Sequence, residues 1–314
     1  MACQGTVGRS ATPPTTGPSG PEFSGPAEAK DEERKRDPAK SDAPAQESEA
    51  DDPNHSPFRV NAIADGGISA GAMILIGAPR LLASETVRPW CGLACDPKDV
   101  NALDRTAIGN NHRWALALSD AGFIASIAAP FVFATIDVLT SHPTDGAAGY
   151  FADQLILLET LSITLTANNL LSFVVQRPRP LTYDTNRSDA ERLDPNNVFS
   201  FPSGHTSASF AMATAYSRIY MLRHPKSPAV VPMWIGSYSL AAMTGVFRPL
   251  AGEHFWTDVI VGSVTGIGLG LLVPWIHIPD KKVIGRETAS SGSVRYGLMP
   301  LPLDHGGGLF FTMQ

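Results

Sequence analysis

The sequence predicts an all-α, multi-pass membrane helix bundle of about six helices behind a disordered N-terminal tail. Three observations carry that expectation. Charged residues make up only 17% of the 314-residue chain and hydrophobic residues 43%, against a charged share of about 25% in ordinary soluble domains. Apolar segments recur near 62–83, 114–139, 150–175, 203–222, 230–247 and 256–277. Most run to roughly 18 to 26 residues, the length that takes a helix across about 30 Å of hydrocarbon. Residues 1–57 hold no such run.

The tail comes first. Residues 1–57 are rich in Pro, Ser, Gly, Ala and charge, with 6 Lys/Arg against 11 Asp/Glu. Too little apolar side chain is present to offset the entropy of ordering, so the segment reads as a disordered tail or tether. It supplies most of the net charge of −6 and the acidic pI of about 5.7. The opening Met1-Ala2-Cys3-Gln4-Gly5 leaves a lipidated Cys3 as a second reading beside a plain tail. No basic stripe points to nucleic acid.

The apolar segments follow as a membrane-embedded bundle over 58–280, with a C-terminal extension over 281–314. Stretches such as AAMTGVF and VGSVTGIGLGLLV are rich in small residues, which let helices approach closely in a bilayer. The first segment, with Asp65 and Arg80 near its ends, also fits an interfacial helix. Arg218, Arg223 and Lys226 cluster at the end of the fourth segment and just beyond it, and Lys281, Lys282 and Arg286 follow the sixth. The positive-inside rule makes that side cytoplasmic, so the connections 84–113, 176–202 and 248–255 face outward. Cys91 and Cys95 then lie outside, where a disulfide can persist. The Gly-rich finish GGGLFFTMQ reads as a hairpin or a loose tail.

Three stretches at the outward ends carry the chemistry: Gln176-Arg177-Pro178-Arg179-Pro180, Phe201-Pro202-Ser203-Gly204-His205-Thr206, and the run from Arg248 through His254 to Asp258. Arg177, Arg179 and Arg248 offer planar donor forks suited to phosphate oxygens. Charges at a membrane boundary are costly and mark function. Pro202-Ser203-Gly204 reads as a helix start, with Ser203 as cap and Gly204 letting an anion approach free N–H groups. His254 and Asp258 stand four apart, one helical turn, so a carboxylate can fix the imidazole tautomer and free the other nitrogen to attack. Together these parts make a phosphoryl-transfer site in which one His attacks phosphorus and the other protonates the leaving oxygen. No metal-ligand set is evident there, and no cofactor is called for.

At these residues the chain resembles the type 2 phosphatidic acid phosphatase family, whose signature is Lys-x6-Arg-Pro, Pro-Ser-Gly-His and Ser-Arg-x5-His-x3-Asp. Arg179-Pro180 matches the end of the first part, Pro202 to His205 the whole of the second, and Arg248, His254 and Asp258 the third at its spacing. The resemblance covers roughly 100–277. It implies a lipid phosphate substrate at the membrane surface, His254 as nucleophile, Asp258 as its orienting partner and His205 as general acid. It assigns Arg179, Arg248, Ser203 and Gly204 to the phosphate. Two positions depart from the pattern: Ser172 stands where Lys is expected, and Phe247 replaces the Ser before Arg248. Arg177 and Arg187 are the candidate substitutes for the missing cation. Alongside hydrolysis of a lipid phosphomonoester or diphosphate stand two alternatives, transfer of the phosphoryl group to another lipid or sugar, and a phospholipid-binding protein with impaired turnover.

Overall fold

The computed structural model describes residues 56–83, 89–141, 145–279, 296–303 and 306–313. Cys3, most of the expected tail, and Lys281, Lys282 and Arg286 lie outside the described residues. Six long helices stand where the apolar segments predicted them: α1 (Ala62–Ala83), α3 (Arg113–Ser141), α4 (Gly146–Val175), α6 (Gly204–Arg223), α7 (Val230–Leu250) and α8 (Trp256–Ile276). Two one-turn helices, α2 (Ala102–Arg105) and α5 (Asp189–Arg192), sit in the connections. Near the C-terminus, β1 (Tyr296–Leu303) and β2 (Gly306–Met313) pair antiparallel, the hairpin alternative for that segment.

The bundle is built around α6. This helix packs on α3, α4, α7 and α8 and buries most of its length, including Ser207, Ser209, Ala211, Met212 and Thr214. Its enclosure explains its composition. Four helices, α3, α4, α7 and α8, are long and apolar enough to cross a membrane, whereas α6 is shielded by its neighbours and can carry hydroxyls instead. Two of those hydroxyls bond back to the helix backbone, Thr214 Oγ1 to the Phe210 carbonyl at 2.7 Å and Ser207 Oγ to the Ser203 carbonyl at 3.0 Å. The outer faces of the surrounding helices show large apolar side chains such as Ile124, Val132, Ile260 and Val264, which suits a lipid solvent. The central apolar contacts are Ile156 and Leu157 of α4 against Met212, Tyr216 and Ile219 of α6.

Helices α6 and α8 meet along a glycine stripe at Gly262, Gly266 and Gly270. A Cβ on Gly266 would stand 2.2 Å from the Ser207 carbonyl oxygen and 3.1 Å from the Ala211 nitrogen. Those are backbone atoms, so no side chain can yield. This close approach draws the N-termini of both helices to one end of the bundle, where the connections gather. Cys91 and Cys95 are joined there by a disulfide. Cys95, Val100, Ala107, Tyr183 and Phe255 form a small apolar cluster over that end, and Arg192 ties the two long connections together by donating to the Thr182 and Leu93 carbonyls.

The stripe predicts a sharp contrast between neighbouring glycines. Gly266→Ala should destabilise the bundle by about 1–3 kcal/mol through overpacking. Gly268→Ala, whose added Cβ meets nothing within 4 Å, should leave it unchanged or slightly more stable. Thermal unfolding of the detergent-solubilised variants measures both, and equal midpoints would contradict the packing argument.

Candidate active site

The end of the bundle that gathers the connections holds a cavity of about 330 Å³ lined by Ser172, Arg179, Gly204, His205, Arg248, Glu253 and His254, with Phe123, Asn168 and Asn169 among the others. Each motif reaches it from a different element. Arg179 follows the end of α4, whose last turn is closed by Gln176 in the left-handed conformation (φ 49°). Gly204 and His205 open α6. Arg248 lies in the last turn of α7. His254 follows a tight turn at Gly252 (φ +75°), where any side chain would collide with the Asn110 carbonyl at 2.2 Å. Helices α4 and α7 therefore run toward the cavity, and α6 and α8 run away from it. The N-terminus of α6, with its partial positive charge, faces the lining.

Asp258 joins the three motifs. It is fully buried. Its Oδ2 accepts from Ser200 Oγ at 2.6 Å and from the Phe255 N–H at 2.8 Å, and its Oδ1 accepts from Arg177 at 2.5 Å. Its backbone carbonyl accepts from the Ser203 N–H at 3.1 Å. Arg177 also donates to Asp104 at 2.8 Å and to Thr257 Oγ1 at 2.7 Å, and stacks over the Phe255 ring at 4.3 Å. Burial pushes the Asp104 carboxyl up, but hydrogen bonds from Thr257, Arg177 and Asn101 outweigh it and hold that group below the ordinary carboxylate value.

Four expectations change in detail. Arg177, expected among the phosphate ligands, is absent from the cavity lining; it is spent on Asp104 and Asp258. Arg187, the other substitute for the missing Lys, pairs with Asp184 and Glu191 instead. Ser203 occupies the N-cap of α6 without a side-chain cap; its hydroxyl accepts from Thr206 Oγ1 at 2.9 Å, and Gly204 alone of the pair lines the cavity. The nearest partner of His254 Nδ1 is the Ser200 carbonyl at 2.6 Å; Asp258 Oδ2 is 3.8 Å away, beyond hydrogen-bond reach. His254 precedes α8 and Phe255 is extended (φ −80°, ψ 161°), so the one-turn spacing of a helix does not hold between them.

A carbonyl can only accept, so Nδ1 of His254 carries the proton and Nε2 keeps its lone pair. Burial pushes this imidazole below its ordinary value of 6.5; Asp258 opposes that, and Arg248 and Arg179 add to it. Two acids missing from the sequence reading complete the site. Glu253 accepts from both Arg179 and Arg248. Asp120 of α3 bridges Arg248 and His205, with Oδ1 3.1 Å from a nitrogen of each. Nothing in the three motifs signalled Asp120, since it lies far off in sequence. The Nε–H groups of Arg179 and Arg248 are buried without a hydrogen-bond partner. Two guanidinium groups with unspent donors beside a helix N-terminus make a receptor for an oxyanion. The lining has two arginines and, among the described residues, no lysine.

Residues 153–281 match the family model described as the PAP2 superfamily. Over that segment the chain is similar to the PAP2 superfamily. A lipid A 1-phosphatase of Porphyromonas gingivalis is 36% identical over 87 residues, 27% of this chain; the match spans 18% of that protein's length. The crystal structure of a transmembrane PAP2-type phosphatidylglycerolphosphate phosphatase from Bacillus subtilis is similar with a TM-score of 0.43 at 20% identity, covering 70% of this chain and 98% of that one. The matched segment contains Arg179, Gly204, His205, Arg248, Glu253 and His254; Asp104 and Asp120 lie before it.

The charges of this cavity generate two predictions. Glu253 occupies both arginines, so Glu253→Gln should bind vanadate or inorganic phosphate several-fold more tightly, as read by calorimetry; weaker binding would make Glu253 a support for the arginines rather than a competitor of the anion. His254 resists a proton that the unfolded chain accepts at about 6.5. Its contribution to stability is therefore full above that pH and is lost as the pH falls below it. The unfolding midpoint of the native chain should fall more between pH 7.5 and 5.5 than that of His254→Gln, and parallel curves would remove His254 from the acid sensitivity.

Proposed function

We propose that the chain hydrolyses a lipid phosphomonoester or diphosphate in two steps through a phosphohistidine on His254. The observation that carries this reading is the state of His254: Nδ1 is held on the Ser200 carbonyl at 2.6 Å, and the ring borders the same cavity as Arg179, Arg248 and His205. Nε2 is then an unprotonated nucleophile beside an oxyanion receptor.

The phosphate oxygens take the donors of Arg179 and Arg248 and the first N–H groups of α6, displacing Glu253 from part of its hold on the arginines. These fixed donors stabilise the charge of the transferring group. Nε2 of His254 attacks phosphorus, the ester P–O bond breaks, and His205 gives a proton to the departing oxygen. Water then attacks the phosphohistidine, His205 takes the water's proton, and inorganic phosphate leaves. Asp258 acts at one remove. It fixes Ser200 and Phe255 on either side of His254, so the imidazole keeps its tautomer. Arg177, bound to Asp258 and Asp104, locks that arrangement. No step is assigned to a metal ion.

The apolar outer faces of α3 and α8 support a bilayer as the setting, with the substrate head group entering at the end that holds the cavity. Arg218 and Arg223 at the C-terminal end of α6 and Lys226 just after it, together with Lys281, Lys282 and Arg286, favour the extracytoplasmic face for the cavity end. Transfer to another lipid or sugar would use the same residues and differ in the acceptor. Ser172 in the lining leaves the site one cation short of the family signature, which is the feature that favours a binding protein over a catalyst.

Phosphate release from a panel of lipid phosphates by the detergent-solubilised chain tests the reading. Release should occur, continue in EDTA at temperatures well below unfolding, and fall by at least about 10³-fold in His254→Ala, as expected for loss of a nucleophile. Acid-labile, base-stable phosphate should be trapped on the native chain during turnover. Folded protein that binds labelled lipid phosphate without releasing phosphate would overturn hydrolysis and make Ser172→Lys the informative variant.

A further inference from the structure

A second polar cluster lies far from the phosphate cavity. Asp65 of α1, Glu159 of α4 and His277, which caps the end of α8, bring one ligand atom each to within 4.8 Å of one another. His277 is 19 residues beyond Asp258, roughly 28 Å along a helix, so the cluster belongs to the opposite end of the bundle. Glu159 is 1% exposed and His277 6%.

The hydrogen bonds around the cluster fix its polarity. Nδ1 of His277 is 2.8 Å from the Val273 carbonyl. A carbonyl only accepts, so Nδ1 carries a proton and Nε2 is turned toward the two carboxylates. Nε2 is 3.2 Å from Glu159 Oε2 and 3.5 Å from Asp65 Oδ2. A neutral imidazole would point its lone pair at two anions. Glu159 Oε2 is buried and makes no hydrogen bond. Asp65 Oδ2 accepts from the Asn61 N–H at 2.6 Å, which orients it and leaves a further lone pair. Two carboxylate oxygens facing one imidazole nitrogen call for positive charge between them, from a bound ion or from protons.

We propose that Asp65, Glu159 and His277 bind one first-row divalent metal cation of the Zn²⁺ or Mn²⁺ class, which clamps α1, α4 and the end of α8 together. Two carboxylates and a neutral imidazole are balanced in full by a divalent ion, whereas a proton on His277 would leave a net negative charge buried among the helices, a costly state. The spacings fit. Ligands about 2.0–2.2 Å from a tetrahedral ion stand roughly 3.3–3.6 Å apart; His277 Nε2 lies 3.5 Å from Asp65 Oδ2, inside that range, and 3.2 Å from Glu159 Oε2, just under it. An imidazole bonded through Nδ1 to a backbone carbonyl, with Nε2 toward the ion, is the usual supporting arrangement for a histidine ligand. The nitrogen donor disfavours Mg²⁺ and Ca²⁺, which prefer oxygen alone. Asp65 is partly exposed, which gives an ion a way in.

The full chain in detergent, stripped with chelator, desalted and then incubated with Zn²⁺ or Mn²⁺, tests the site through its metal content and its thermal unfolding. One ion should remain per chain after a second desalting, and the midpoint should rise by several degrees. His277→Ala and Glu159→Gln should lose both effects, and His254→Ala, altered at the other end, should keep both. Should the buried variants fail to fold, Asp65→Asn, near the surface, should still fold and retain less metal. A native chain that keeps no ion and shows no change in midpoint would overturn the proposal and leave a protonated His277 pairing the two acids. Equal metal retention by His277→Ala, or by Asp65→Asn where the buried variants do not fold, would overturn it as well, by moving the ion elsewhere.

Discussion

The active end of this protein depends on one buried carboxylate. Asp258 is fully enclosed, and a carboxylate placed there without partners would be severely destabilising. It is satisfied by Ser200, by the Phe255 N–H and by Arg177, and its carbonyl holds the N–H of Ser203. These partners come from the connection after α4, from the segment that opens α6 and from the start of α8. Satisfying the charge therefore assembles the site. The same contacts seat the Ser200 carbonyl against His254 and place the N-terminus of α6 against the cavity. A substitution at Asp258 would act first as a loss of architecture and only through that on the histidine.

The glycine stripe of α8 does the same at the level of helices. Small residues at Gly262, Gly266 and Gly270 set the depth at which α8 lies on α6, and the two helices open at the same end. Both His205 and His254 stand at those openings. Backbone packing inside the bundle thus sets the separation of the two side chains to which the proposed reaction assigns attack and proton transfer. The hydroxyl-rich surface of α6 is compatible with a membrane because the other helices enclose it. Low hydropathy in that one helix marks the centre of the bundle.

Much of this was legible in the sequence, and the residues show why the rest was not. Six apolar runs gave six helices because length and hydropathy are summed properties that tolerate local error. The three motifs gave the cavity because His205, Arg248 and His254 are tied to helix ends. Arg177 was misplaced because Arg177-Pro178-Arg179 was treated as a cluster. Arg179 has the extended backbone of a proline-rich segment (φ −75°, ψ 161°), in which the chain turns by about a third of a circle per residue, so side chains two apart leave on different sides. One arginine reaches the cavity and the other reaches Asp104 and Asp258. The spacing of His254 and Asp258 misled in a similar way, since four residues make a helical turn only inside a helix. Asp104, Asp120 and Glu253 were not legible at all, because their roles come from tertiary contacts with no local pattern.

The arrangement of charge explains how a site this rich in arginine exists at the edge of a bundle. Arg179 and Arg248 each find Glu253, and Arg248 also finds Asp120, so the cavity is close to neutral before any anion arrives. In the proposed reaction an entering phosphate would meet donors that already hold their geometry, together with the Nε–H groups of Arg179 and Arg248, which have no hydrogen-bond partner. The cost of orienting the arginines is met during folding and is not charged to binding. Ser172 fits the same logic. A lysine there would add a third fixed cation, whereas the chain has Glu253 and Asp120 balancing two. Under the proposed function, the ligand of these arginines must compete with a carboxylate for the same forks, which a phosphate group, with more oxygens and more charge, would do.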